Sequence, residues 1–231
     1  MFNVIRSDTR GGADHGWLKA KHTFSFAEYH DPERVHFGHL RVINEDRIAP
    51  GQGFDTHPHN DMEIVTYIIS GAIEHKDSMG NGSIIRPGDV QRMSAGSGIR
   101  HSEFNASSEE EVKFLQIWIV PNVSGIQPSY EQKNFDAELT GRLRLVASPD
   151  GRDGSLTIHQ DAFVYAGKPK DGDSLSHPLA AKRTAYVHVA KGQLALNGTL
   201  MRGGDGATIT DEPTITLTGK SNAEVLLFDL P

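Results

Sequence analysis

Two short stretches of the chain carry metal-capable side chains at strand spacing. His57-Pro58-His59 and His101-Ser102-Glu103 each hold two donors i, i+2 apart. In an extended strand alternate residues share a face. On neighbouring strands the two pairs would converge as three imidazoles and one carboxylate. Such an all-nitrogen-and-oxygen set suits Fe(II), Mn, Co, Ni, Cu(II) or Zn and disfavours soft-metal roles. A structural zinc site closes at four ligands, whereas a catalytic ion keeps a position for water or substrate. One carboxylate on a divalent ion leaves a formal charge of about +1, which favours an anionic ligand such as an enolate or phenolate.

Neighbouring residues sharpen this reading and compete with it. A residue before proline is biased to the extended region, which sets His57. Pro58 itself lacks an N–H, so a strand end or barrel rim is expected there. Glu63, four residues after His59, is a rival to Glu103 for the carboxylate position, and Asn105 shares the strand face of His101. Glu63 or Asn105 could instead orient an imidazole from behind. The remaining histidines, among them His22, His75, His159, His177 and His188, have no paired spacing and are read as structural. No nucleophile motif occurs, and the Gly-x-Gly before His101 is not followed by the helix that a dinucleotide fingerprint needs. A sugar isomerase would want a Lys/Arg cluster at the site, and Arg100 alone adjoins a ligand in sequence.

The elements that must position these pairs read as strands. Leu40 to Asn44, Glu63 to Ile69, Ala72 to Asp77, Ser83 to Arg86, Gln91 to Ser94 and Val112 to Val120 are candidates, with Ser70-Gly71 and Ser78-Met79-Gly80-Asn81-Gly82 as turns between them. Residues 122–142 lose the rhythm and read as a connection with a short helix. Before the first strands, Asp14 to Pro32 is dense in aromatics and His. It reads as an arm packed over a barrel, or as the wall of a pocket that takes a flat apolar substrate.

Composition bounds the rest. A chain of 231 residues with 24 Gly and 11 Pro spread throughout suggests one or two domains and an all-β class. A net charge of -7 argues against general affinity for nucleic acid or anionic lipid. There are no cysteines, which excludes disulfides and thiol chemistry. No apolar run is long enough to span a membrane and the first residues lack a signal-peptide core, so a cytoplasmic protein is expected.

The second half echoes the first. Tyr67-Ile68-Ile69-Ser70-Gly71 is answered by His188-Val189-Ala190-Lys191-Gly192, Arg86-Pro87-Gly88-Asp89 by Arg202-Gly203-Gly204-Asp205, and Leu115 to Pro121 by Val225 to Pro231. Three echoes in order argue for an internal duplication. Neither metal-capable pair has a counterpart in the second copy.

At these residues the chain resembles the cupin superfamily, through Gly51-x5-His57-x-His59-x3-Glu63 and the looser Gly98-x2-His101-x3-Asn105. More narrowly it resembles the bacterial pirins, through His15-Gly16-Trp17-Leu18, His22-Thr23-Phe24-Ser25-Phe26, Thr56-His57-Pro58-His59, Met93-Ser94-Ala95-Gly96, Gly98 to Glu103, Ser148-Pro149-Asp150-Gly151 and Leu227 to Pro231. The resemblance implies an all-β bicupin of two consecutive antiparallel, jelly-roll-like barrels. Residues 1–130 would form the metal-binding cupin and 131–231 a degenerate one without ligands. It assigns His57, His59, His101 and Glu103 to the metal, Glu103 rather than Glu63, with Fe(II) as the first expectation. It also implies a quercetin 2,3-dioxygenase-like activity: Glu103 takes the flavonol 3-hydroxyl proton, dioxygen opens the heterocycle and carbon monoxide leaves. Partners are then a small aromatic or enolisable substrate and dioxygen, with no direct nucleic-acid contact, no membrane and a monomeric chain. The alternative from the same resemblance is a non-catalytic, iron-dependent redox sensor acting through a protein partner.

Overall fold

The computed structural model describes all residues, Met1–Pro231. In chain order the strands are β1 (Phe2–Ile5), β2 (Gly11–Asp14), β3 (Leu18–His22), β4 (Leu40–Ile48), β5 (Gly53–His59), β6 (Glu63–Ser70), β7 (Ile73–Asp77), β8 (Gly82–Ile85), β9 (Asp89–Ser94), β10 (Ile99–Asn105), β11 (Val112–Ile119) and β12 (Ser129–Asn134). A single helical turn, α1 (Asp136–Leu139), leads to β13 (Leu143–Ser148), β14 (Leu156–Thr157), β15 (Phe163–Gly167), β16 (Ser174–Pro178), β17 (Thr184–Leu196), β18 (Thr199–Arg202), β19 (Gly206–Ile209) and β20 (Thr214–Leu230). The class is all-β, as composition suggests. No helix is long and apolar enough to cross a membrane.

The chain divides into two compact units: Gly11–Asn134 with Leu156–Gln160, and Met1–Arg10 with Phe135–Ser155 and Asp161–Pro231. The first unit holds a seven-stranded sheet in the order β12-β9-β6-β11-β4-β3-β2 and a four-stranded sheet in the order β5-β10-β7-β8. Their inner faces meet in an apolar cluster: Leu18, Ala20, Ile48, Ile68, Val112 and Phe114 from the large sheet pack on Ile73 and Ile85 from the small one. A smaller cluster, Ile64, Met93, Ala95 and Ile99, also joins the two sheets, with Trp118 packed against it. The local rules are visible. β3 and β10 alternate buried and exposed residues, as half-buried strands do. β6 is buried along almost its whole length and reads as a continuous apolar run. Gly71, at φ +76°, makes the turn from β6 to β7, a backbone region that glycine enters without strain.

The second unit follows the strand order β1-β19-β17-β20-β15-β13, with β16 beside β20 and β18 beside β17. Its core is a continuous apolar cluster that includes Leu175, Leu194, Leu196, Ile215 and Leu217. One stretch differs from the sequence reading. Within residues 122–142, Ser129–Asn134 is not a bare connection but the edge strand β12, paired with β9 from Ser129↔Ser94 to Asn134↔Asp89. Its partly exposed polar residues carry no alternation, so only the partner strand reveals it. The short helix of that connection is present as α1.

Candidate metal centre

β5 and β10 are antiparallel neighbours, and their register sets the site. His101 lies opposite His57 and Ile99 opposite His59, but Glu103 lies opposite Phe54 because β5 carries an extra residue between these pairs. Such a bulge shifts which side chains face inward. It lets Phe54, three residues before His57, share the inner face with it. β5 is the edge strand of its sheet, in keeping with Pro58, which faces outward opposite Arg100.

The three imidazoles form a tight group. Ring centroids stand 4.4 Å apart for His57 and His101, 4.8 Å for His57 and His59, and 4.9 Å for His59 and His101. Each offers a ligand atom within 4.8 Å of the others. His57 donates its Nδ1–H to the Asp55 carbonyl at 2.8 Å, which leaves its Nε2 lone pair for a ligand. His101 Nε2 is buried and has no hydrogen-bond partner in the protein. A buried polar nitrogen left without a partner is costly, and a divalent cation would satisfy it. Burial pushes His101 down to about 3, helped by the neighbouring His57 and His75. Burial likewise pushes His59 down to about 4, with His101 and His57 adding to the effect. Both rings are therefore neutral at ordinary pH, the state in which imidazole binds metal.

Glu103 is buried on the same face of β10. Gln116 Nε2 reaches its two oxygens at 2.9 and 3.2 Å. The Thr66 hydroxyl lies 3.3 Å from Gln116 Oε1 and 3.5 Å from Glu103 Oε1. Glu103, His101 and His75 form a second group whose ligand atoms lie within 4.8 Å of one another. All four residues of the two sequence pairs thus gather in one place.

The rivals to Glu103 are occupied elsewhere. The inner-face residues of β6 are Ile64, Thr66 and Ile68, so Glu63 has the opposite parity. Its carboxylate accepts the Ser94 hydroxyl at 2.8 Å and lies 3.1 Å from His159 Nδ1. Asn105 is on the inner face but clamps loops: its amide donates to the carbonyls of Ile48, Ala49 and Glu110, and its oxygen accepts the Ser107 N–H.

A cavity of about 380 Å³ opens beside the imidazoles, walled by Trp17, Phe26, Phe54 and Trp118 and floored by His57, His59, Glu103 and Gln116. The walls brace one another edge to face: Trp17 on Phe54 at 5.3 Å and Phe26 on Trp118 at 5.4 Å. Trp118 also meets the His59 ring at 5.1 Å. The aromatic arm divides between the two roles foreseen for it. Phe24 is core, while Trp17 and Phe26 are pocket wall.

Sequence reasoning missed Gln116, Thr66 and above all His75. His75 lies opposite Glu103 on β7, and Asp77 opposite His101. The signal was present, since His75 and Asp77 are themselves an i, i+2 pair on a strand.

Known proteins resemble this chain along its whole length. The Pirin family model matches residues 4–119, and the model described as quercetinase C-terminal cupin domain matches residues 145–230. The chain is 50% identical to the quercetin 2,3-dioxygenase of Escherichia coli K12, covering 100% of this chain and 99% of that one. It is 46% identical to a pirin-like protein of Caulobacter vibrioides over 96% of each chain. Among solved structures it superposes on the E. coli bacterial pirin YhhW in complex with nickel(II), with a TM-score of 0.95 and 49% identity, covering 100% of this chain and 99% of that one. Two family models that together span most of the chain, and a relative half identical from end to end, lead to one conclusion: this chain belongs to the pirin family and is built as a bicupin.

Proposed function

We propose that this protein is a metal-dependent dioxygenase that cleaves the heterocycle of a flavonol with release of carbon monoxide, as the name of its E. coli relative suggests. One observation carries the reading. His57, His59 and the buried carboxylate of Glu103 floor a cavity with aromatic walls, and the buried His101 completes the group of three imidazoles. His57, His59, His101 and Glu103 would hold a divalent ion. Fe(II) is our assignment, and Mn, Co, Ni, Cu and Zn fit the same donors. The bound ion would supply positive charge that stabilises the substrate's enolate-type anion.

The chain's own residues do the remaining work. Trp17, Phe26, Phe54 and Trp118 offer flat apolar surface that takes the rings of a flavonol and excludes water from the reacting centre. Glu103 takes the 3-hydroxyl proton: the substrate O–H bond breaks and a carboxyl O–H forms. General-base catalysis of this kind contributes typically about 10²- to 10⁴-fold. Gln116 fixes the carboxylate through both oxygens, so that it presents a constant edge to the substrate. The chemistry resides in the first unit. The division into a metal-binding cupin over 1–130 and a degenerate one over 131–231 is part of this reading, with Met1–Arg10 exchanged into the second unit and Leu156–Gln160 into the first. It is supported by the location of both ligand groups and by the apolar filling of the second core.

The test is turnover of quercetin by protein stripped of metal and reloaded with each divalent ion, followed by flavonol absorbance and carbon monoxide release. Activity should depend on the ion and vanish in His57→Ala. Equal turnover by the metal-free protein would overturn the proposal.

A further inference from the structure

β10 is gripped from both sides. β5 brings His57 and His59 to one edge, and β7 brings His75 and Asp77 to the other. His75 is fully buried, and so is the side chain of Asp77. His75 Nε2 lies 3.2 Å from Asp77 Oδ2, and His75 Nδ1 lies 3.5 Å from His101 Nδ1. The His75 ring is stacked on Tyr130 at 5.0 Å, and Tyr130 is fixed in turn by hydrogen bonds to Ser83 and Gln132.

From this geometry we infer that Asp77 and His75 are positioning residues, which set the tautomer of His101 and so aim its Nε2 lone pair at the metal. With a single proton on the His75 ring, the hydrogen bonds leave one arrangement. Asp77 Oδ1 accepts the backbone N–H groups of Met79 and Asn81 at 2.9 and 3.0 Å, and Oδ2 accepts the Asn81 side-chain amide at 2.9 Å. With every other neighbour a donor, Asp77 acts as an acceptor, and the proton between it and His75 sits on His75 Nε2. A neutral His75 then presents a lone pair at Nδ1. His101 must donate its own Nδ1–H to that lone pair, which leaves Nε2 unprotonated, and Nε2 is the buried nitrogen without a partner in the protein. Partners of this kind, which hold a ligating imidazole in one tautomer and orientation, typically control about 10- to 100-fold in metal affinity.

The turn that holds Asp77 makes the polarity testable. In Asp77→Asn the two backbone N–H groups keep the amide oxygen at the Oδ1 position. The NH2 group then faces His75 Nε2 and the Asn81 side chain, whose amide turns over to accept from it. His75 has to accept there and protonate Nδ1, so His101 Nδ1 becomes the acceptor and its Nε2 carries the proton. The turn survives while the chain of hydrogen bonds runs backwards.

The inference rests on His101 being a metal ligand, and the experiment separates the two ideas. Nitrogen-15 spectra of the imidazoles, recorded on metal-free protein, report which ring nitrogen is protonated. Chelator competition with the bare divalent ion reports affinity. In the wild type, His101 Nε2 should be unprotonated; in Asp77→Asn it should be protonated, with affinity reduced about 10- to 100-fold. His75→Phe should leave His101 populating both tautomers. A protonated His101 Nε2 in the wild type, or Asp77→Asn binding metal within threefold of wild type, would overturn the inference. If His101→Ala itself retained wild-type affinity, the ligand assignment would fail and the inference with it.

Discussion

Glu63 and Glu103 are both buried glutamates next to metal-capable histidines in sequence, and the structure gives them opposite tasks. Replacing each by Gln should therefore produce opposite phenotypes. The Glu63 carboxylate takes the Ser94 hydroxyl at 2.8 Å and the His159 ring nitrogen at 3.1 Å. In Glu63→Gln one oxygen remains for one of these partners and the amide NH2 meets the other, so one bond to a charged group is lost. Such a bond is worth about 1.5–3 kcal/mol net. For a chain of this size 1 kcal/mol moves the melting temperature by about 2–4 °C, so the variant should melt about 3–12 °C lower with its metal affinity unchanged. Glu103→Gln removes the one carboxylate assigned to the metal. Outer partners of a ligand alone are worth about 10- to 100-fold in affinity, so a ligand should cost about 100-fold or more. In metal-free protein the same change turns an NH2 toward the Gln116 donor and costs at most one of its hydrogen bonds, about 0.5–1.5 kcal/mol. The assays are thermal denaturation of both metal-free variants and chelator competition for a divalent ion. Loss of metal from Glu63→Gln with retention in Glu103→Gln would refute the assignment drawn from strand-face parity.

Two further outcomes follow from the same geometry. At Gly96, φ is +46° and an added Cβ would stand 2.1 Å from the Ile126 carbonyl oxygen, the acceptor for the Ser97 N–H at 2.8 Å. Left-handed backbone costs about 1–2 kcal/mol and overpacking about 1–3 kcal/mol, so Gly96→Ala should lose about 2–5 kcal/mol in urea titration; a loss below about 0.5 kcal/mol contradicts the predicted clash. Metal-free protein should also lose stability as pH falls. His59 and His101 in the folded chain protonate only near about 4 and about 3, whereas in the unfolded chain they take protons near the usual histidine value of about 6.5. Between these limits the unfolded state binds more protons, so stability rises with pH there. It should be complete above about pH 6.5 and decline toward pH 4, and a urea midpoint constant from pH 7.5 to 4.5 would show that the rings are not buried neutral.

The legible part of the site was the part that depends on one strand at a time. His57 with His59 and His101 with Glu103 share a face because any strand alternates, and each pair could be read without knowing its neighbour. The choice between Glu63 and Glu103 was not legible from the residues themselves. β6 is apolar on both faces, so the alternation that would have marked Glu63 as outward-facing is erased, and only the family resemblance favoured Glu103. The bulge in β5 leaves no mark in the sequence, yet it brings Phe54 to the inner face beside His57. His75 and Asp77 had the right spacing, but their role exists only because β7 lies next to β10. β12 was missed for a related reason: a polar edge strand is specified by its partner rather than by its own pattern.

The two units show what holding a metal asks of a core. Along β6, β10 and β11 of the first unit, apolar residues give way in mid-strand to Thr66, His101, Glu103 and Gln116, with Ile64, Ile99 and Trp118 on one side and Ile68, Ile73 and Phe114 on the other. Buried polar groups of this kind destabilise a fold unless they are paired. Gln116 and Thr66 pair with Glu103, His75 pairs with His101 and is itself held by Asp77, and the His101 Nε2 is left over. The second unit has no such layer. Leu175, Leu194, Leu196, Ile215 and Leu217 fill its interior, and His177, paired with Asp229 at 2.9 Å, stands without a second imidazole to form a ligand group. An apolar filling is the cheaper solution for stability alone. The polar layer of the first unit, satisfied at every point but the nitrogen that faces the other imidazoles, is therefore explained by what it binds rather than by what it stabilises.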